Sequence, residues 1–135
     1  MALAWSRYIA VLFAIGLGIG EAVMNWGRWQ YAPLWIVDYV IVAWLLYAFV
    51  STRAGRRIHL LLAAWAFTAG VFYMVLFITL DPQLGLTVSP VFLSLIGAML
   101  AASIAGFFLA LRTIHAQHVA AADPAARLSS SLGRQ

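Results

Sequence analysis

The sequence has 135 residues, among which there is no cysteine, no lysine and little charge of either sign. Without cysteine, the chain forms no disulfide, no thiolate metal site and no cysteine nucleophile. Only 9% of the residues are charged and 65% are hydrophobic, whereas an ordinary soluble domain has about 25% charged residues. A water-soluble chain of this length cannot bury so much apolar surface. The composition therefore predicts an integral membrane protein and excludes a soluble enzyme, a disordered chain and a nucleic-acid-binding protein.

Long stretches without charge predict an all-α, four-helix transmembrane bundle. The 23 residues between Arg57 and Asp81, and the 30 residues between Asp81 and Arg112, contain no charged side chain. Two earlier stretches of similar length are interrupted by one acidic residue each. About 20 apolar residues cross a bilayer as a helix. The predicted spans, which form one domain over residues 1–113, are residues 5–26, 33–51, 58–80 and 89–113. Residues 114–135 are predicted to be a cytoplasmic helix end and a flexible tail.

The positions of the arginines predict the orientation of these spans. The arginines next to the ends of the spans on one side of a four-span chain are Arg7, Arg53, Arg56, Arg57 and Arg112. The loops on the other side hold Arg28 alone. Both termini are therefore predicted to lie in the cytoplasm, and the composition, rich in arginine and alanine, favours a bacterial inner membrane. A cleaved signal peptide is the alternative for residues 1–24, although no small-x-small cleavage motif follows closely.

Rows of small residues predict where the helices pack, because helices in lipid associate through close backbone approach. Span one contributes Ala10, Ala14 and Gly18 to these rows. Span four contributes Gly97, Ala101, Ala105 and Gly106. We expect spans one, three and four to pack tightly. A spare small face of span four is expected to bind another membrane subunit or a second copy of the chain.

Acidic residues inside predicted spans are functional candidates, because a charge within the membrane is costly. Glu21 lies 14 residues from Arg7, and Asp38 lies 15 residues from Arg53. On antiparallel helices both acids therefore fall at one depth, about 21 to 22 Å from the arginines. The residues predicted to form a polar layer at this depth are Glu21, Asn25, Arg28, Trp35, Asp38, Tyr39 and Tyr73.

The sequence allows two interpretations of this layer. An acidic and aromatic pocket suits a cation or an amphipathic amine, because a carboxylate and aromatic faces together attract such a group. Alternatively, Glu21, Arg28 and Asp38 form a structural ion-pair network, and the tryptophans belong to the aromatic belt of the membrane interface. The sequence slightly favours the structural network.

Three histidines are weak candidates for a metal or haem site. His59, His115 and His118 fall at the predicted cytoplasmic ends of spans three and four, where imidazoles from neighbouring helices can share an ion. Apart from Asp123, no carboxylate lies nearby in sequence to orient them. We therefore predict no metal and no cofactor.

Few polar residues lie toward the predicted cytoplasmic side of the spans. This scarcity counts against a channel or carrier made of one chain, because such a protein needs polar groups along its route. No serine, histidine and acid fall at one depth, so the sequence does not support hydrolytic catalysis. We expect a non-catalytic subunit or assembly factor of a larger membrane complex. The alternative is an autonomous binding or transport protein that uses Glu21 and Asp38. Coupling of that transport to proton movement is part of this alternative.

Overall fold

The computed structural model describes residues 1–27, 32–53, 55–85 and 87–122, which fold into four α-helices. These helices are α1 (Ala2–Asn25), α2 (Ala32–Ser51), α3 (Ile58–Leu80) and α4 (Pro90–Ala122). A single 3-10 turn, Pro82–Leu84, follows α3. The described residues contain no strand, so the all-α prediction is confirmed.

The helix bounds differ from the predicted spans mainly at the start of the chain, and α4 continues past residue 113 into the segment that was predicted to be a helix end. The first helix begins at Ala2, three residues earlier than predicted. The last helix continues to Ala122 and is 33 residues long, which is more than the roughly 20 residues that cross a bilayer. Its final residues therefore extend beyond the other helices. The predicted flexible tail lies outside the described residues.

The helices have the length and composition of membrane spans. Three of them, α1, α3 and α4, are long and apolar enough to cross a membrane. The 20 residues of α2 are also strongly apolar. The chain is therefore compatible with an integral membrane location.

The four helices form a ring in which each helix packs against the one before it and the one after it. The connections are short, so neighbouring helices run antiparallel. As expected, α4 packs against both α1 and α3, but α2 also packs closely against α1. The contacts of α4 with α1 and α3 agree with the expected packing of spans one, three and four, and the close packing of α2 against α1 was not predicted. At this contact Gly18 of α1 lies beside Val42 of α2, and a Cβ at Gly18 would be in ordinary van der Waals contact with the Val42 side chain, at 3.7 Å.

Aromatic side chains join α1 to α3 across the middle of the ring. The ring of Phe13 packs edge-to-face against Trp65 and Phe72, with centroid distances of 5.5 and 5.6 Å. All three side chains are buried. This geometry is favourable for aromatic pairs, and it fills the centre of the bundle with apolar rings.

Three helices meet at one buried point, which we call the three-helix contact and which consists of Ser6, Trp65 and Gly106. The Ser6 hydroxyl donates a hydrogen bond to the carbonyl oxygen of Gly106, at 2.9 Å. The indole Nε1 of Trp65 donates to the Ser6 Oγ, at 3.0 Å. A Cβ at Gly106 would overlap the indole of Trp65. Glycine is therefore required here for α4 to approach α3.

The two ends of the bundle carry opposite charges. We call one the arginine end; it contains the described arginines, which are Arg7, Arg53, Arg56, Arg57 and Arg112. The opposite, acidic end contains the described acids, which are Glu21, Asp38 and Asp81. The start of α1 and the later part of α4 lie together at the arginine end.

Candidate functional site

A cleft of about 430 Å³ opens at the acidic end, between the last turns of α1 and the first turns of α2. We call it the Glu21 cleft. Its principal lining side chains are Glu21, Asn25, Trp26, Trp35 and Tyr39. The cleft thus combines one carboxylate and one amide with three large aromatic side chains.

The acidic wall of the cleft is supplied by α1. Glu21 and Asn25 are four residues apart, so they lie on the same helix face. The Asn25 Nδ2 donates a hydrogen bond to the Glu21 Oε2, at 2.6 Å. This bond orients the half-buried carboxylate. The described residues donate no hydrogen bond to the other oxygen, Oε1.

The aromatic wall of the cleft is supplied by α2. Trp35 and Tyr39 are one turn apart, and their rings pack edge-to-face with a centroid distance of 5.9 Å. The Tyr39 hydroxyl donates a long hydrogen bond to the carbonyl oxygen of Gly18, at 3.4 Å. This contact holds the aromatic wall against the acidic one.

A second carboxylate lies beside the cleft without lining it. Asp38 is half-buried, and its carboxyl group lies within electrostatic range of Glu21. No basic side chain within the described residues contacts either acid, since the described arginines lie at the opposite end. The predicted partner of the acids, Arg28, lies outside the described residues. The described part of this site is therefore negative.

The mouth of the cleft is formed where the chain leaves α1. The Trp26 side chain is 87% exposed and lines the cleft. Gly27 has a φ of +78°, a left-handed conformation that glycine adopts without the steric cost of a side chain. The chain therefore turns sharply here and leaves an exposed indole beside the carboxylate.

One predicted member of the polar layer lies elsewhere. Tyr73 does not line the cleft, and its side chain is 56% exposed. Its ring packs against Phe77, with a centroid distance of 4.6 Å. The preceding residue, Phe72, points into the core, and successive residues on a helix point about 100° apart. Tyr73 therefore faces the outside of the bundle.

The histidines are not brought together into a site. His59, His115 and His118 are all exposed. In the described part of the chain, no group of three histidine or acidic side chains could hold a metal ion.

The predicted small-residue rows occupy different surroundings. Ala10 and Ala14 are fully buried in the core, and Gly106 contacts Trp65. By contrast, Ala101 and Ala105 are exposed. The space beside Gly97 is open as well. Of the four small residues predicted in α4, Gly106 is the buried one.

Sequence reasoning missed the three-helix contact. A tryptophan inside a membrane span needs a hydrogen-bond partner for its indole N–H, so Trp65 was a signal that could have been followed. Its partner, Ser6, belongs to a different helix, and nothing in the sequence pairs the two residues.

Comparison of the chain with protein-family models, with curated proteins and with solved structures finds no match.

Proposed function

We propose that this chain is a non-catalytic membrane protein that binds a cationic, amphipathic group in the Glu21 cleft. One observation carries the proposal: the half-buried carboxylate of Glu21 lines the same cleft as the aromatic side chains of Trp35 and Tyr39. A second carboxylate, Asp38, adds negative charge beside it. No basic side chain among the described residues neutralises the pair.

The chemistry of the cleft favours a cation with an apolar body. Electrostatic attraction to a carboxylate is stronger at a partly buried site than in water. An aromatic face contributes about 0.5 to 2 kcal/mol to the binding of a cation. The cleft volume of about 430 Å³ falls within the range of roughly 300 to 1,000 Å³ that is typical of small-molecule sites. These features together suit an amine or a quaternary cation that carries an apolar group.

We propose a four-span topology in which both termini lie in the cytoplasm of a bacterial inner membrane. The gathering of Arg7, Arg53 and Arg112 at one end supports it, because arginines concentrate on the cytoplasmic side of membrane proteins. In this orientation the Glu21 cleft opens toward the outer face of the membrane.

The polar groups inside the bundle favour a binding protein and not a single-chain channel that conducts ions or solutes. Thr52, Thr68 and Ser103 are buried, and each hydroxyl donates to a carbonyl oxygen of its own helix. The hydroxyl of Ser6 is also bonded. Within the described residues, no row of polar groups leads from the cleft to the arginine end. Any transport function would therefore require a partner or a second copy.

Binding of tetraphenylphosphonium, a permanently charged aromatic cation, tests the proposal. We expect Glu21→Gln to weaken binding by about tenfold or more, which corresponds to about 1.4 kcal/mol. Asp38→Asn should weaken it less, because Asp38 does not line the cleft. Titration of the purified protein in detergent, followed by tryptophan fluorescence, measures both affinities.

Asp81→Asn is the matched control for this titration. Asp81 carries the same charge at the same end of the bundle, but its carboxylate accepts a hydrogen bond from the backbone N–H of Gln83, at 2.9 Å. We expect this variant to bind as the unmodified protein does. Equal affinities in all three variants, or no binding by the unmodified protein, would contradict the proposed site.

A second candidate function, that of an accessory subunit in a larger membrane complex, is favoured by the outer face of α4. Gly97 has open space beside it, and Ala101 and Ala105 are exposed. Such a face allows another helix to approach closely. Native mass spectrometry of particles extracted in mild detergent measures whether other polypeptides, or a second copy, are bound.

The matched pair Gly97→Leu and Gly16→Leu tests the docking face. Both glycines have open space around them, but Gly16 lies on α1. We expect Gly97→Leu to release the partner and Gly16→Leu to retain it. A monomeric particle from the native membrane would reject this second candidate.

A further inference from the structure

A second groove lies at the arginine end, on the opposite side of the molecule from the Glu21 cleft. It has a volume of about 490 Å³ and runs between the start of α1 and the later part of α4. Leu3, Trp5 and Leu109 form its apolar walls, and Arg112 is its charged member. The groove therefore combines an apolar surface with a charged group, as a binding site for an amphiphile does. Its charged group is a cation, whereas that of the Glu21 cleft is an acid.

Within the described residues, Arg112 has no hydrogen-bond or aromatic partner, unlike Arg7 of α1 and Arg53, which follows α2. Arg7 donates to the carbonyl oxygen of Phe49, at 3.2 Å, and its guanidinium lies 4.6 Å from the centroid of the Phe49 ring. Arg53 approaches the same ring, at 5.8 Å. No such contact is found for Arg112 in the described part of the chain. The described acids, moreover, all lie at the acidic end.

The position of Arg112 along α4 places it near a membrane surface. It follows Pro90, the first residue of α4, by 22 residues, which corresponds to about 33 Å along a helix. The hydrocarbon core of a bilayer is about 30 Å thick. Trp5 lies in the same groove and is 63% exposed, as is typical of aromatic residues at the membrane interface. The charged part of the groove thus lies where lipid headgroups lie.

We propose that this groove binds an anionic phospholipid. The guanidinium of Arg112 pairs with the phosphate of the lipid, since arginine forms strong charge-assisted hydrogen bonds with phosphate oxygens. The acyl chain lies against Leu3, Trp5 and Leu109. A free phosphate ester has the same headgroup chemistry, but only a lipid also occupies the apolar walls. The site does not depend on a ligand in the Glu21 cleft.

Native mass spectrometry of the full chain in detergent, with added phosphatidylglycerol, tests this proposal. One arginine near the membrane surface contributes about 1 kcal/mol to the binding of anionic lipid, or about a fivefold change in affinity. We expect Arg112→Gln to lower phosphatidylglycerol binding by about that factor, and Arg112→Lys to retain most of it. Arg56→Gln is the matched control, because Arg56 is exposed at the same end but does not line the groove.

Two further measurements distinguish a lipid from a soluble phosphate and from general charge attraction. Trp5→Ala should weaken phosphatidylglycerol binding and leave the weak binding of glycerol phosphate unchanged. Phosphatidylcholine, which has the same acyl chains and no net charge, should bind less tightly than phosphatidylglycerol. Equal losses in Arg112→Gln and Arg56→Gln would overturn the proposal, as would equal binding of the two lipids or tight binding of glycerol phosphate alone.

Discussion

The arginine end and the acidic end of this bundle are held together in different ways. Toward the arginine end, hydrogen bonds connect separate helices, from Ser6 to Gly106, from Trp65 to Ser6, and from Arg7 to Phe49. At the acidic end, the short hydrogen bond of Glu21 stays within α1, and the bond between α1 and α2 is long, at 3.4 Å. Toward the arginine end, hydrogen bonds between helices therefore hold the bundle together, whereas at the acidic end the short hydrogen bond of the carboxylate links residues of one helix.

The sizes of the side chains explain this difference. Ala10, Ala14 and Gly106 allow close backbone approach along the half of the bundle nearer the arginines. Trp35 and Tyr39 stand between helix ends at the acidic end. We infer that the packed part supplies most of the stability and that the acidic end supplies the binding site. Four substitutions test this division, in order of decreasing expected effect on stability.

Gly106→Leu should be the most destabilising change. Any Cβ at this position meets the indole of Trp65, and overpacking of a filled core costs about 1 to 3 kcal/mol or more. Thermal unfolding in detergent measures the loss. Gly97→Leu is the control on the same helix, and we expect it to change the free energy of unfolding by less than about 1 kcal/mol. Similar losses in both variants would show that α4 is not fixed by the three-helix contact.

Ser6→Ala should cost about 1 to 2 kcal/mol, because it leaves the indole N–H of Trp65 buried without an acceptor. Ser103→Ala is the matched control. Ser103 is equally buried, but its hydroxyl donates to Leu100 of its own helix. We expect Ser103→Ala to leave the unfolding temperature nearly unchanged. Equal unfolding temperatures for the two alanine variants would show that the hydrogen bond between helices contributes no more to stability than the one within α4.

Arg7→Gln should lower the free energy of unfolding by about 0.3 to 1 kcal/mol. Arg7 places a positive charge at the carboxyl end of α2, where the helix dipole is negative, and it donates to the carbonyl oxygen of Phe49. High salt should reduce this difference, since salt screens exposed charges. Arg56→Gln provides the comparison, and a loss that is the same in both variants would indicate a general effect of charge.

Glu21→Gln should leave stability unchanged within about 0.5 kcal/mol, the usual range for changes that disturb no packing. The glutamine oxygen can still accept the hydrogen bond from Asn25, and the repulsion with Asp38 disappears. The same variant is expected to lose the cation, so stability and binding separate at this residue. A loss of stability of more than about 1 kcal/mol would instead support the structural ion-pair network.

Much of the fold could be predicted because the membrane imposes simple rules. The lengths of uncharged sequence predicted four helices, and the continuation of α4 after residue 113 was also expected. The pairing of α1 with α2 was not, because it depends on how Val42 fits beside Gly18. Rows of small residues indicate surfaces that can pack, but they do not determine which neighbour packs there.

The candidate site could be predicted only in part. Counting residues from the arginines predicted that Glu21 and Asp38 lie at one depth, and in the structure they lie on neighbouring helices at the acidic end. The same counting also placed Tyr73 in the layer, although its side chain faces the outside of the bundle. Depth along a helix gives no information about the direction of a side chain. The hydrogen bond from Asn25 to Glu21 follows from their spacing of four. The T-shaped contact of Trp35 with Tyr39 depends on rotamers that the sequence does not determine.

The bonded hydroxyls in the packed half of the bundle have an electrical consequence. Ser6, Thr52, Thr68 and Ser103 donate their protons to carbonyl oxygens, so none of them offers a free donor along which water or an ion could be relayed. A single copy of the described bundle should therefore act as an insulator. In a planar lipid bilayer under an applied voltage, we expect it to add no current to that of the bare bilayer.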